Sequence, residues 1–235
     1  MSISRKLMGV TKGAAVDPDL VLVFDTSLGD LTVEVPLGGT VDCTIDWGDG
    51  SSDVYTTTGT KTHTYASGGE YEVRVSGTLT QFGLGFSTPV RPEMTKCLSL
   101  GDIGITSCDG AFMYCSNITE VPNVLPSSVT NMTRMFFSAL AFNQDIDGWD
   151  TSAVTAMTAT FRNATSFNQD ISSWNTSSVT NMSNMFNTAT AFNQDLSTWI
   201  TGLTSQPFHF STNATAWTDP TWRPYLSDGV TQITT

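Results

Sequence analysis

Phe142-Asn143-Gln144-Asp145, Phe167-Asn168-Gln169-Asp170 and Phe192-Asn193-Gln194-Asp195 are one tetrapeptide that recurs unchanged at a spacing of 25 residues. The same spacing separates Val129, Val154 and Val179; Met132, Met157 and Met182; Phe136, Phe161 and Phe186; Ala139, Ala164 and Ala189; and Trp149, Trp174 and Trp199. Chance does not put six registers in phase, and a fixed period of roughly 20–50 residues is the sequence mark of stacked repeat units. Each unit offers one short strand, such as Ser178-Val179-Thr180-Asn181-Met182, a turn of helix around Met185-Phe186, and a return loop. None of these buries an apolar face alone. Successive units are therefore expected to stack into a solenoid with Met, Phe, Ile and Trp inside.

The register extends both ways. A shift of 24 aligns Ile105, Cys108, Ala111, Phe112, Cys115 and Ile118 with Val129, Met132, Met135, Phe136, Ala139 and Phe142, so the array opens near Met94. Downstream, Ala214 and Trp217 stay in phase in a worn, capping unit. These limits give a solenoid over residues 94–222 and a tail over 223–235.

The N-terminal half has a different period. Residues 1–19 carry no periodicity and end in Asp17-Pro18-Asp19, which reads as an arm. From residue 20 the pattern alternates: Leu31, Val33 and Val35; Val41, Cys43, Ile45 and Trp47; Tyr71, Val73 and Val75. Turn signals fall at Leu28-Gly29-Asp30, Leu37-Gly38-Gly39, Gly48-Asp49-Gly50 and Ser67-Gly68-Gly69. Short alternating strands at this spacing predict an antiparallel β-sandwich over residues 20–88. Asp49-Gly50 is a hairpin signal, because glycine tolerates positive φ and aspartate folds back on its own backbone. Trp47 is expected to fill the core, and Tyr65 to bury its ring with its hydroxyl on a backbone acceptor.

Two family resemblances rest on these residues. Asp46-Trp47-Gly48-Asp49-Gly50-Ser51, Thr62-His63-Thr64-Tyr65 and the stretch from Gly69 to Gly77 resemble the PKD family of immunoglobulin-like domains. The segment from Ile105 to Ile118 resembles BspA-like leucine-rich repeats, and the 25-residue units look like that family's bacterial surface-protein subtype. Together they cover about residues 20–222. The implied fold is mainly β with short helices: a PKD-like sandwich followed by a leucine-rich-repeat-type solenoid. The implied role is scaffolding and adhesion rather than a reaction.

Composition narrows the function. Lys+Arg 10 against Asp+Glu 22 gives a net charge of −12, which repels phosphate backbones and anionic headgroups. Charged residues are only 14% of the chain, and 25 Ser with 38 Thr make its surface hydroxyl-rich. No run approaches the ~18 apolar residues of a membrane span. After Arg5-Lys6, the stretch before Lys12 is too short for a signal-peptide h-region of ~7–15 residues. Cys43, Cys97, Cys108 and Cys115 form no CxxC pair and read as core thiols.

Candidate chemistry is sparse. His63 and His209 are the only histidines, and no serine sits in a nucleophile elbow. Gly83-Leu84-Gly85 lacks the third glycine of a dinucleotide loop. Asp145, Asp170 and Asp195 would stack roughly 5 Å apart. Their first reading is acceptance of local backbone N–H groups, and their second is interstitial Ca²⁺. Asn143, Asn168 and Asn193 are expected to form a hydrogen-bonding ladder. Asp46, Asp49 and Asp53 read first as turn formers, then as a Ca²⁺ set. Six Asn-x-Ser/Thr triplets, at Asn117, Asn131, Asn163, Asn175, Asn181 and Asn213, follow from composition and imply no glycosylation. No catalytic, cofactor or metal residue is assigned, and the chain is expected not to be an enzyme.

The expectation is a structural and recognition protein: a phage decoration, fibre or tail component on the virion surface, oligomeric in its assembly. It would present the solenoid to a host-surface protein or glycan. Arg5, Lys6 and Lys12 suggest that the arm docks on neighbouring assembly proteins. The alternatives are a bacterial cell-surface adhesin and a carbohydrate-binding module using Trp217, Trp222 and Tyr225.

Overall fold

The computed structural model describes residues 17–234, so the expected arm lies outside the described residues except for 17–19. The fold is mainly β with almost no helix. Apart from strands, the described residues form three short 3-10 turns, Thr26–Leu28, Gly85–Ser87 and Pro220–Trp222.

Six strands, β1 (Leu20–Asp25), β2 (Thr32–Asp46), β3 (Ser52–Tyr55), β4 (Gly59–Thr64), β5 (Glu70–Phe82) and β6 (Met94–Leu100), build one antiparallel sheet. Its order is β3-β2-β5-β1-β6, β4 pairs with β2, and the sheet is not closed. The period-2 pattern explains the strands: Val33, Val35 and Leu37, then Val41, Cys43 and Ile45, turn inward and are buried.

One expected turn is a bulge. Leu37-Gly38-Gly39 does not reverse the chain: β2 runs straight through it, and its register against β5 shifts between Gly38 and Val41. Gly39 takes φ +65°, and Thr80 Oγ1 accepts the Thr40 N–H at 2.8 Å. The displaced amide is satisfied, so the strand bends instead of ending. The Asp49-Gly50 hairpin forms as its sequence requires. Gly48 and Gly50 take φ +80° and +94°, and the Trp47 N–H donates to the Ser51 carbonyl at 3.0 Å. Trp47 and Tyr65 are buried, and the Tyr65 hydroxyl donates to the Trp47 carbonyl at 2.7 Å.

Beyond Ile105 the backbone pairs between units. Isolated parallel bridges join Ser107 to Asn131, Asn131 to Ala156, and Ala156 to Asn181. The N–H groups of Arg134, Phe136 and Ser138 donate to the carbonyls of Thr158, Thr160 and Arg162, and those of Ala159, Phe161 and Asn163 to Ser183, Met185 and Asn187, all at 2.8–2.9 Å. Alternate amides, such as those of Met135, Phe137 and Ala139, close local turns three residues back. This alternation needs left-handed residues. Arg134, Ala159, Asn184 and His209 form one column at positive φ, and Ser138, Asn163, Thr188 and Asn213 form another. The turn of helix expected around Met185-Phe186 is therefore absent, because Asn184 (φ +59°) and Thr188 (φ +62°) break an α-run on both sides.

Aromatic columns fill the stack. Phe136, Phe161 and Phe186 lie 5.5 and 5.7 Å apart, Phe142, Phe167 and Phe192 5.8 and 5.9 Å, and Trp149, Trp174 and Trp199 6.2 Å at each step. The sheet joins this column without a break. Phe82 meets Phe112 edge-on at 5.8 Å, and the N–H groups of Phe82 and Cys97 donate to Ser107 and Glu120 carbonyls at 3.0 and 2.8 Å.

Candidate functional site

The exposed turn after each Phe column carries the most regular polar array. Asn143 Oδ1 accepts the Asn168 N–H at 2.9 Å and Gln169 Nε2–H at 3.0 Å. One unit on, Asn168 Oδ1 accepts the Asn193 N–H at 2.8 Å and Gln194 Nε2–H at 2.9 Å. This is the expected asparagine ladder. The carboxylates beside it close on themselves: Asp145, Asp170 and Asp195 accept the N–H two residues on, at 3.0, 2.9 and 2.9 Å. Among the described residues, no three His, Cys, Asp or Glu side chains converge as a metal-ligand set.

The β2–β3 hairpin holds a second polar group. Asp46 accepts the Gly48 N–H at 2.9 Å, and Asp53 accepts Trp47 Nε1–H at 2.9 Å. Asp49 accepts the Ser51 N–H at 3.0 Å and the Ser51 hydroxyl at 2.6 Å on one oxygen, and His63 Nε2–H at 2.8 Å on the other. The Ser51 bonds, with His63 behind them, hold the Asp49 carboxyl down at about 2. His63 also stacks on Trp47 at 5.0 Å. The order is serine to aspartate to histidine, so the hydroxyl faces a carboxylate rather than an imidazole base. Nucleophile activation needs the opposite arrangement. His209 bonds Thr212 Oγ1 at 3.0 Å in the last unit.

The four cysteines are free and buried. Burial pushes the Cys108 thiol up to about 12 and Cys97 well above its ordinary value, so neither is a thiolate at neutral pH.

Trp217 does not stand out from the surface to stack on sugar. It is 3% exposed, occupies the register of Phe192, and packs edge-on against that ring at 5.0 Å. Trp222 and Tyr225 are half-buried. A different aromatic patch lies where the sheet meets the stack. Phe86 is 71% exposed under the Arg134 guanidinium at 4.2 Å, and Arg134 is paired to both oxygens of Asp109 at 2.9 and 2.6 Å. Three residues on from Arg134, Phe137 meets Tyr114 at 5.5 Å, and Arg162 lies 5.3 Å over the Phe137 ring. The repeat spacing does not reveal this patch, because Arg134 and Arg162 are not in register. The only sequence signal is the scarcity of basic residues elsewhere in the array.

Residues 106–221, a little under half of the chain, match the family model described as Mycoplasma protein of unknown function, DUF285. No curated protein and no solved structure matches the chain.

Proposed function

We propose that the chain is a non-catalytic structural and recognition protein of a surface assembly, foremost a phage decoration, fibre or tail component. In this reading residues 94–222 form a BspA-like leucine-rich-repeat solenoid that presents a face to a host-surface protein or glycan. A PKD-like, immunoglobulin-like sandwich and the basic residues of the N-terminal arm join it to neighbouring proteins. The observation that carries the reading is the inter-unit ladder, which holds the exposed Thr130, Thr155 and Thr180 and the Asn143, Asn168 and Asn193 side chains at fixed spacing on a rigid column. Rigid, broad surfaces suit contact with macromolecules, because little side-chain or backbone freedom is lost on binding.

A bacterial cell-surface adhesin is the second reading. Carbohydrate binding is the third, and the exposed Phe86 with the Tyr114, Phe137 and Arg162 cluster favours it more than Trp217 does. Immunogold labelling of particles and cells from the source culture, with antibody against the purified chain, tests these readings. Gold on particles supports the virion role and gold on the envelope supports the adhesin. Label recovered only in the soluble fraction would refute both.

A further inference from the structure

The sheet has one margin that is covered and one that is open. At β6 the stack takes over the pairing: Lys96 bridges Glu120 in parallel, the Cys97 N–H donates to the Glu120 carbonyl at 2.8 Å, and the Thr119 N–H donates to the Thr95 carbonyl at 2.9 Å. On the opposite margin β4 pairs with β2, and among the described residues no other strand pairs with it.

Alternation decides which backbone groups of β4 face outward. The Tyr65 N–H donates to the Leu31 carbonyl at 3.0 Å, and the register sets Thr64 opposite Thr32, His63 opposite Val33 and Lys61 opposite Val35. Tyr65, His63 and Lys61 therefore turn their backbone groups toward β2, while Thr60, Thr62 and Thr64 turn theirs away. Pro36, opposite Thr60, agrees with this. It has no N–H to offer, and its carbonyl accepts the Gly83 N–H at 3.1 Å on the far side of β2. Thr62 and Thr64 are exposed. The strand keeps a regular register, without the proline or bulge that blocks pairing at an edge.

Two such edges fit one another antiparallel about a two-fold axis at Thr62. Thr62 then exchanges both backbone bonds with the partner's Thr62, and Thr60 pairs with the partner's Thr64. On one face threonine meets threonine, which is a favoured cross-strand pair. On the other face Lys61 lies across from the partner's His63, and within each chain His63 Nε2 is bonded to the Asp49 carboxylate at 2.8 Å. A slip of two residues would set Lys61 against the partner's Lys61, and like charge disfavours it. We propose that β4 is a self-association edge, through which two copies of the chain join their six-stranded sheets into one. The contact is at the small end of protein interfaces, so the dimer is weak in dilute solution and forms where an assembly holds copies close together. This deepens the surface-assembly reading by naming a second copy as one neighbour, and immunogold labelling decides that reading separately.

Sedimentation of the full chain from micromolar to millimolar concentration, with hydrogen exchange read at both ends of the range, tests the edge. A reversible monomer–dimer equilibrium is expected, and the amides of Thr60, Thr62 and Thr64 should gain protection as the dimer forms. Thr62→Lys places two like charges at the two-fold axis, and Thr62→Pro removes an outward N–H that β2 does not use. Each should weaken association at least tenfold and leave the fold intact. A chain that stays monomeric throughout, a dimer that both folded variants retain, or protection gained elsewhere but not at these three amides would overturn the assignment.

Discussion

Phe167 lies between Phe142 and Phe192 at 5.8 and 5.9 Å, faces Phe161 at 4.1 Å, and has no solvent exposure. Phe167→Ala should therefore cost about 3–5 kcal/mol and lower Tm by on the order of 10 °C, while Ser172→Ala should leave Tm unchanged. Thermal melting of both variants checks the register. Asp49 gives a pH prediction. Its carboxyl is held at about 2, below its ordinary value of 3.8, so its contribution is present above pH 4 and fades as the pH falls toward 2. Asp49→Asn should be less stable than wild type at pH 7, and the two melting curves should converge near pH 2. Parallel curves would contradict the role given to Ser51 and His63. Residue roles were legible where type and position agree, as for Trp47 and Tyr65. Arg91 and Arg223 were not legible, because arginine is ordinarily exposed and the contacts that bury them, the Ala111 carbonyl for Arg91 and the Ser211 hydroxyl and Trp217 ring for Arg223, lie far from any local pattern.

At the scale of elements, the 25-residue period located the columns but not the backbone between them. The left-handed positions hold Arg, Ala, Asn and His in one column and Ser, Asn, Thr and Asn in the other, so no constant residue type announces them. Apolar spacing alone suggested a helical turn there. Thr188, at φ +62°, is the least suited of these side chains, since β-branching crowds the left-handed region. Thr188→Gly should stabilise by about 1 kcal/mol. Thr155→Gly, at a position without positive φ, should destabilise by about 0.5–1 kcal/mol. Urea unfolding of the pair measures the difference, and a loss in both would contradict the conformation at Thr188. The Leu37-Gly38-Gly39 bulge teaches a similar lesson. Two glycines read as a turn from sequence, but the Thr80 hydroxyl on the partner strand keeps β2 running.

Over the whole molecule, the sheet and the stack share one buried core from Leu20 to Ile233. The division between a period-2 half and a 25-residue half was legible, whereas the way β6 and β5 hand their hydrogen bonds to Glu120 and Ser107 depends on pairing that no local pattern records. Because Asp145, Asp170 and Asp195 are each satisfied by a backbone N–H, excess EDTA should leave Tm unchanged, and a fall of several degrees reversed by Ca²⁺ would contradict this. The central claim, that alternate amides of each unit pair with the next, is tested most directly by residue-resolved native-state hydrogen exchange. Amides of Arg134, Phe136, Ser138, Ala159, Phe161, Asn163, Asn184, Phe186 and Thr188 should be strongly protected, and those of His209 and Asn213 should exchange nearly as fast as in an unfolded chain. Equal protection across all these positions, or exchange near the unfolded rate at Phe136, Phe161 and Phe186, would contradict the stacked ladder.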